Sequence, residues 1–314
     1  MNNALVRSAA VALYALKLLN AESGGLTSAV ANKETTLTTK VTIPALQARK
    51  GSSKFTMLTA YDAPFARLVD EAGIDVILVG DSLGMVMLGY AGTAPVTMDE
   101  MIHHARAVGR TAKRALLVGD MPFLAYQLHD PAEAVRNAAR HIKEAGMDCV
   151  KLEATAKHAP LVRAIVDAGI AVVAHIGLTP QTAASLGGMT VQGGSLEQAR
   201  ALVADALALE EAGAWAVLLE AVPAALAQRI TARLRVPTIG IGAGLDCDGQ
   251  VLVTHEMLGL FPGFGLPFGK RYAEAGDFIS QGIRQYAADV MSGSFPEAAN
   301  SFDIGQDVLD ALDV

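Results

Sequence analysis

Short apolar strand patterns and amphipathic helix patterns alternate along this chain from Lys54 onward, and this alternation limits the fold more than any other feature. The apolar runs are typical of strands buried on both faces. No GxGxxG string follows the first apolar run, which argues against a dinucleotide-binding fold. Repeated βα units over this length predict a single α/β domain, a (β/α)8 TIM-type barrel. The predicted strands cover residues 55–60, 74–79, 115–119, 149–152, 170–174, 215–219, 238–241 and 251–253.

Helix starts are marked by capping residues. Asp62 precedes Pro64 in the pattern of an N-cap before a first-turn proline. Thr97 and Glu100 have the spacing of a capping box. A last predicted helix, from about Ala273 to Val290, completes the alternation.

Composition excludes several functions. The 314 residues carry a net charge of −7 without a dense Lys/Arg run, which argues against nucleic acid as the partner. Two cysteines indicate neither a disulfide framework nor a zinc cluster. No apolar segment reaches the roughly 18 residues of a membrane span. Residues 1–37 differ in composition and are interpreted as an N-terminal extension, disordered or targeting, ahead of a barrel domain over 38–314.

Two predicted strands are followed by the same dipeptide, Gly and then Asp, at Asp81 and Asp120. The carboxyl ends of the strands form the active-site face of a barrel, so both carboxylates would point to one mouth. Alone they would repel each other, and a hard divalent cation is the usual way to hold such a pair. Each aspartate could instead cap the segment that follows it. The matching contexts favour a shared cation.

Other strands also end in polar residues, each with a plain structural alternative. Lys151 and Glu153 stand two apart in a strand and so share a face, as an ion pair or as part of a site. His175 could be a hydrogen-bonded structural histidine. Glu220 could cap a helix after Pro223. The remaining candidates at these ends are Tyr61, Asp62, Ser82 and a glycine-rich turn at 240–244 that suits either a phosphate or a close turn.

Seven short strings follow one another in a recognisable order. They are LTAYD (58–62), VGDSLGM (79–85), DMPF (120–123), VKLE (150–153), HIGLTPQ (175–181), LE (219–220) and IGIGAG (239–244), the last followed by CDGQVLV (247–253). Together they resemble the ketopantoate hydroxymethyltransferase family, over about residues 38–302. The sequence departs from the family's pattern at Gly193–Gly194, at His255–Glu256 and at 267–270. The first and third of these departures lie in predicted mouth loops and affect those loops more than the metal centre.

The resemblance implies an enzyme of pantothenate biosynthesis. Such an enzyme uses Mg²⁺ and transfers a hydroxymethyl group from 5,10-methylenetetrahydrofolate, its co-substrate, to 3-methyl-2-oxobutanoate, giving 2-dehydropantoate (ketopantoate). By position, Asp81 and Asp120 resemble metal ligands, and Glu153 resembles an acid of the metal site near the metal's waters. Glu220 resembles the catalytic base. The residues that resemble the holders of the 2-oxo acid are Asp81, Ser82, Asp120, Lys151 and His175.

Two other functions compete with this one. A Mg²⁺-dependent lyase or phosphonomutase of an isocitrate-lyase-like barrel would act on another 2-oxo acid, but neither Cys149 nor Cys247 lies in the Lys-rich loop such enzymes usually carry. A barrel that has lost catalysis would lack candidate site residues, and all are present. We expect small-molecule substrates, a homo-oligomer and a cytoplasmic location, or an organellar one if the extension is a transit peptide.

Overall fold

The computed structural model describes residues 39–127, 130–260 and 268–312. The predicted N-terminal extension lies outside these residues. Two units are distinguished, residues 1–40 and 41–314, and every element named below belongs to the second.

Eight parallel strands close into a barrel, each hydrogen-bonded to the next and the last to the first. The predicted (β/α)8 fold is therefore confirmed. The strands are β1 Phe55–Thr59, β2 Val76–Val79, β3 Leu116–Asp120, β4 Cys149–Glu153, β5 Val172–Gly177, β6 Ala216–Glu220, β7 Thr238–Ile241 and β8 Gly249–Leu252. The last strand begins two residues before the predicted run and ends one residue before it.

Helices follow the strands in the order that the pattern predicted, and short helices fill some mouth loops. The α-helices are α1 Ile43–Gln47, α2 Ala63–Glu71, α3 Leu83–Val86, α4 Met98–Thr111, α5 Pro131–Ala145, α6 Ala159–Asp167, α7 Leu196–Glu211, α8 Ala224–Arg233, α9 Thr254–Met257, α10 Ala275–Ser292 and α11 Gln306–Asp310. The 3₁₀ segments are Ala156–His158, Pro180–Leu186 and Ala298–Asn300.

Local capping sets where the helices begin. The Asp62 side chain accepts a hydrogen bond from the Phe65 N–H, as an N-cap should. Thr97 and Glu100 form both bonds of the predicted capping box at the start of α4. The starts of α2 and α4 are thus fixed by the predicted capping residues.

Strand register places the polar ends next to one another. Asp120 pairs with Lys151 across β3 and β4, and Glu153 pairs with His175 across β4 and β5. Below this layer the interior is apolar, with Met57, Leu78, Val118, Val173, Leu218 and Ile239 in one buried cluster. The barrel is a packed core with a polar carboxyl-end face.

The predicted C-terminal helix is present as α10, but it is not packed into the structure. None of its 18 residues is buried, although Phe278, Ile283 and Tyr286 give it an apolar face. On the outer face of β1 and β8, Thr56 and Gln250 are exposed, so no described helix covers them. Periodicity showed that this helix has an apolar face but not what the face contacts. No helix among the described residues is long and apolar enough to cross a membrane.

The glycine of the β3 Gly-Asp pair is required by packing. A Cβ placed on Gly119 would lie 2.2 Å from Nδ1 of His141, which is buried on α5. No side chain larger than hydrogen fits between the strand and this ring. The glycine therefore allows α5 to pack closely behind Asp120.

We expect Gly119→Ala to reduce the free energy of unfolding by about 1–3 kcal/mol, because it overpacks the β3–α5 contact. Urea unfolding measures the loss. In the background of His141→Ala the same substitution should cost much less, since the ring is gone. Gly194→Ala is the control, because a Cβ there has no neighbour within 4 Å. An equal cost with and without the His141 ring would contradict this explanation.

Candidate active site

The sequence-predicted residues meet in one cleft at the carboxyl ends of the strands. The cleft encloses about 660 Å³, its open mouth included. Its lining contains all the residues to which the family resemblance assigns a role, namely Asp81, Ser82, Asp120, Lys151, Glu153, His175 and Glu220. Of the other candidates, Tyr61, Asp62 and the glycines of the turn at 240–244 do not line it. The six ionisable residues of the lining are between 0% and 8% exposed, so their charges interact through protein more than through water.

The two aspartates are joined to each other and to Lys151. Asp120 accepts a hydrogen bond from the Asp81 main-chain N–H at Oδ2 (3.0 Å), and its Oδ1 lies 2.8 Å from Lys151 Nζ. Neither aspartate is the N-cap residue of the helix that follows: α3 starts after Ser82, and α5 is capped by Asp130. The capping alternative is therefore wrong for both.

Burial dominates the titration of this group. It raises the pKa of Asp120 to about 7, although the Lys151 ammonium acts in the opposite direction. Burial opposes the charge of Lys151 as well, but the carboxylates of Asp120, Asp81 and Glu153 together raise its pKa. A site with this excess of buried carboxylate over ammonium is suited to a cation.

Glu153 and His175 form the next side of the cleft. The Glu153 carboxylate accepts a hydrogen bond from the Gln181 main-chain N–H at Oε1 (3.2 Å), and burial raises its pKa well above the usual range. Its Oε2 is buried without a hydrogen-bond partner among the described residues. Burial lowers the pKa of His175, against the effect of Glu220, so the imidazole is neutral at neutral pH.

Glu220 faces His175 across the cleft, with its Oε2 3.2 Å from Nε2 of the imidazole. Directly after it, Ala221 has a φ of 49°, an unfavourable backbone conformation for a residue with a side chain. Helix α8 is preceded by Pro223 and has no side-chain cap, so Glu220 does not cap it. Strained backbone of this kind is concentrated at functional sites, where it holds a side chain in a fixed direction.

The hydroxyl groups of Ser82 and Thr93 complete the wall of the cleft. The Ser82 hydroxyl is 2.8 Å from the Tyr61 hydroxyl, which is fully buried. Thr93, on the loop after α3, has a buried Oγ1 with no hydrogen-bond partner among the described residues. Both groups face the cleft as neutral donors.

The donor set fits Mg²⁺ better than a metal that needs many protein ligands. No cluster of three or more His, Cys, Asp or Glu side chains suited to a metal occurs in the described parts of the chain. Magnesium commonly takes one or two carboxylates and completes its shell with water and substrate oxygens. Asp81 and Asp120 supply such a pair, and the partnerless Glu153 oxygen suits a bound water.

Sequence reasoning did not select two residues that connect this site, Gln181 and Tyr126. Gln181 donates to Asp81, and the Tyr126 hydroxyl lies between Gln181 and the Glu153 main-chain N–H. Gln181 stands in one of the family-like strings, but no spacing rule shows that a residue after β5 reaches back to β2. The available signal was its place at the end of the string HIGLTPQ, directly after Pro180.

Comparisons with solved structures find other proteins with a similar fold. Phosphonopyruvate hydrolase superposes with a TM-score of 0.54 at 16% identity, covering 87% of this chain and 94% of that one. A 2,3-dimethylmalate lyase gives a TM-score of 0.54 at 14% identity, covering 85% and 93%. At such low identity the likeness shows the fold alone.

Sequence comparisons are far more specific. The family model described as ketopantoate hydroxymethyltransferase matches residues 40–298. A 3-methyl-2-oxobutanoate hydroxymethyltransferase from Moorella thermoacetica is 56% identical over 264 residues, 84% of this chain and 98% of that protein. One from Syntrophomonas wolfei is 52% identical over 274 residues, 87% and 99%. The predicted family and the predicted enzyme class, a one-carbon transferase, are confirmed: the chain belongs to the ketopantoate hydroxymethyltransferase family.

Proposed function

We propose that the chain transfers a hydroxymethyl group from 5,10-methylenetetrahydrofolate to 3-methyl-2-oxobutanoate, giving 2-dehydropantoate, with Mg²⁺ as cofactor. The relatives' names support 3-methyl-2-oxobutanoate as the acceptor and a hydroxymethyl group as the group transferred. The observation that carries the proposal is the juxtaposition in one cleft of a buried aspartate pair with Lys151 and a carboxylate, Glu220, beside a neutral imidazole. This arrangement separates a cation-binding side from a proton-accepting side.

Asp81 and Asp120 would hold the cation, with Glu153 near its waters. When bound, Mg²⁺ supplies positive charge beside the carboxylate and keto oxygens of the oxo acid, which makes the C3 proton more acidic. Lys151, fixed by Asp120, offsets the charge of the substrate carboxylate. The Ser82 hydroxyl and the His175 imidazole would orient the oxo acid from the other walls.

Glu220 is the proposed base that removes the C3 proton. Its carboxylate is 8% exposed and sits at the end of β6, where the left-handed turn at Ala221 fixes its direction. In the transfer, C3 forms a bond to the methylene carbon of the folate and that carbon leaves the folate nitrogens. Water supplies the hydroxyl group and one proton, and together with the proton taken from C3 this restores the two N–H groups of the tetrahydrofolate that leaves. His175, neutral and 3.2 Å from Glu220, can donate a hydrogen bond to the carboxylate without protonating it.

The competing lyase or phosphonomutase function lacks support at the site. The related barrels share the fold, but Cys149 begins β4 and Cys247 precedes β8, and neither lines the cleft. Burial raises the pKa of the Cys247 thiol, which makes it a poor nucleophile. The relatives named above are bacterial. This supports a cytoplasmic location and gives no support to organelle targeting.

We expect Asp81→Ala and Asp120→Ala each to abolish Mg²⁺-dependent turnover while leaving the barrel folded, because both side chains lie at the mouth. The assay follows 2-dehydropantoate from the two substrates across a range of Mg²⁺ concentrations, and circular dichroism checks the fold. Asp99→Ala removes an exposed aspartate from the first turn of α4 and serves as the control. Near-normal activity of either variant at limiting Mg²⁺ would show that the two-aspartate site is wrong.

We also propose that the chain is a homo-oligomer in which a second copy covers α10. The helix exposes Phe278, Ile283 and Tyr286, and the same chain leaves a groove on the outer face of β1 and β8, lined by Leu58, Ile74 and Leu252. An exposed apolar face of this extent is unusual for a monomer. Each copy thus offers both an apolar helix and an uncovered apolar surface.

Light scattering after size exclusion tests the oligomer. We expect the unaltered chain to run as a multiple of 32.6 kDa and Ile283→Lys to shift it to smaller species, because the charge is placed in the apolar face. Gln281→Lys adds the same charge at an exposed polar position of α10 and should have a smaller effect. A monomeric unaltered chain, or two variants that behave alike, would contradict the proposal.

A further inference from the structure

Gln181 is the most connected buried amide at the barrel mouth. It lies in the 3₁₀ segment after β5 and is 5% exposed. Through its side chain and its main chain it contacts residues at the ends of β2, β3 and β4. No step of the proposed reaction uses it.

The orientation of the Gln181 amide follows from its partners. The carbonyl of Met121 can only accept a hydrogen bond, and Gln181 Nε2 lies 2.9 Å from it. The NH₂ group must therefore be at this end, and its second proton points to Asp81 Oδ2 at 2.8 Å. At the other end Oε1 accepts from the Tyr126 hydroxyl at 2.8 Å. Both protons and the carbonyl oxygen of the amide are thus used.

A second connection reaches Glu153. The Gln181 main-chain N–H donates to Glu153 Oε1 at 3.2 Å. The Tyr126 hydroxyl, which donates to the Gln181 amide, accepts from the Glu153 main-chain N–H at 3.0 Å. Asp81 and Glu153 are therefore held by one residue, although they belong to different strands.

We propose that Gln181 is a positioning residue that sets the Asp81 carboxylate for a divalent cation by engaging Oδ2 and leaving the other oxygen to bind. This inference rests on the proposed magnesium site and deepens it. An amide is required because a glutamate would place a carboxylate against Asp81 and the Met121 carbonyl, which repel it. An apolar residue of the same size would leave Asp81 Oδ2 without its donor in a buried site.

Partners of this kind, which hold a metal ligand without touching the metal, typically change metal affinity by about 10–100-fold when removed. We expect Gln181→Met to weaken Mg²⁺ binding by a factor in that range, as measured by isothermal titration calorimetry without folate. Gln181→Glu should weaken it at least as much. The kcat of Gln181→Met should recover substantially at saturating Mg²⁺, which a loss of folded structure would not allow.

The control changes the support of the loop after β3, which carries Tyr126, without changing the Gln181 amide. Asn137 donates through Nδ2 to the Ala125 carbonyl at 2.8 Å, next to Tyr126, and does not contact Gln181. Asn137→Ala should therefore loosen this loop and lower the Tm with little effect on Mg²⁺ affinity. If Gln181→Met fails to fold, Tyr126→Phe takes its place, since it removes the hydroxyl that donates to the Gln181 amide oxygen and keeps the ring.

The outcomes separate this inference from the function it rests on. Weakened Mg²⁺ binding in Gln181→Met, or in its replacement Tyr126→Phe, together with unchanged binding in Asn137→Ala supports the positioning role. Mg²⁺ affinity within about twofold of the unaltered chain overturns it and leaves the magnesium site standing. An unaltered chain that turns over but binds no Mg²⁺ overturns both the inference and the proposed cofactor.

Discussion

The structure depends on the burial of four carboxylates with a single ammonium group. Asp81, Asp120, Glu153 and Glu220 line one cleft, where Lys151 is the balancing cation and burial holds His175 neutral. Like charges at low dielectric repel strongly, and proteins relieve this by protonation, hydrogen bonds or a bound cation. Burial is the main cause of the raised pKa values of Asp120 and Glu153, and the neighbouring Asp81 carboxylate raises both further. The proposed divalent cation would remove this repulsion and so allow these acids to lie together.

The closed barrel makes this concentration of charge possible. Parallel strands end on one face, so register alone brings Asp120 to Lys151 and Glu153 to His175. The packed interior below gives the polar layer a rigid base. Close contacts such as Gly119 against His141 show that the helices are fitted tightly behind the strands that carry the aspartates. The scaffold provides the stability, and the residues at its mouth provide binding and catalysis.

Much of this could be predicted from the sequence, because periodicity and strand ends are local signals. The order of strands, the caps at Asp62 and Thr97, and the seven polar residues of the cleft all follow from short stretches. The bond from Gln181 to Asp81 spans 100 positions, and no local pattern contains it. The bare face of α10 was missed for a similar reason, since amphipathicity shows that a face is apolar but not which surface covers it.

Exchange of the C3 proton of 3-methyl-2-oxobutanoate in D₂O, with Mg²⁺ and without folate, tests the central claim most directly. If the cleft activates the oxo acid before the folate acts, the unaltered chain should exchange this proton. Glu220→Gln should still bind the oxo acid but exchange about 10²–10⁴-fold more slowly, the usual contribution of a general base. Exchange at the unaltered rate in Glu220→Gln would contradict the account and direct attention to His175, 3.2 Å away.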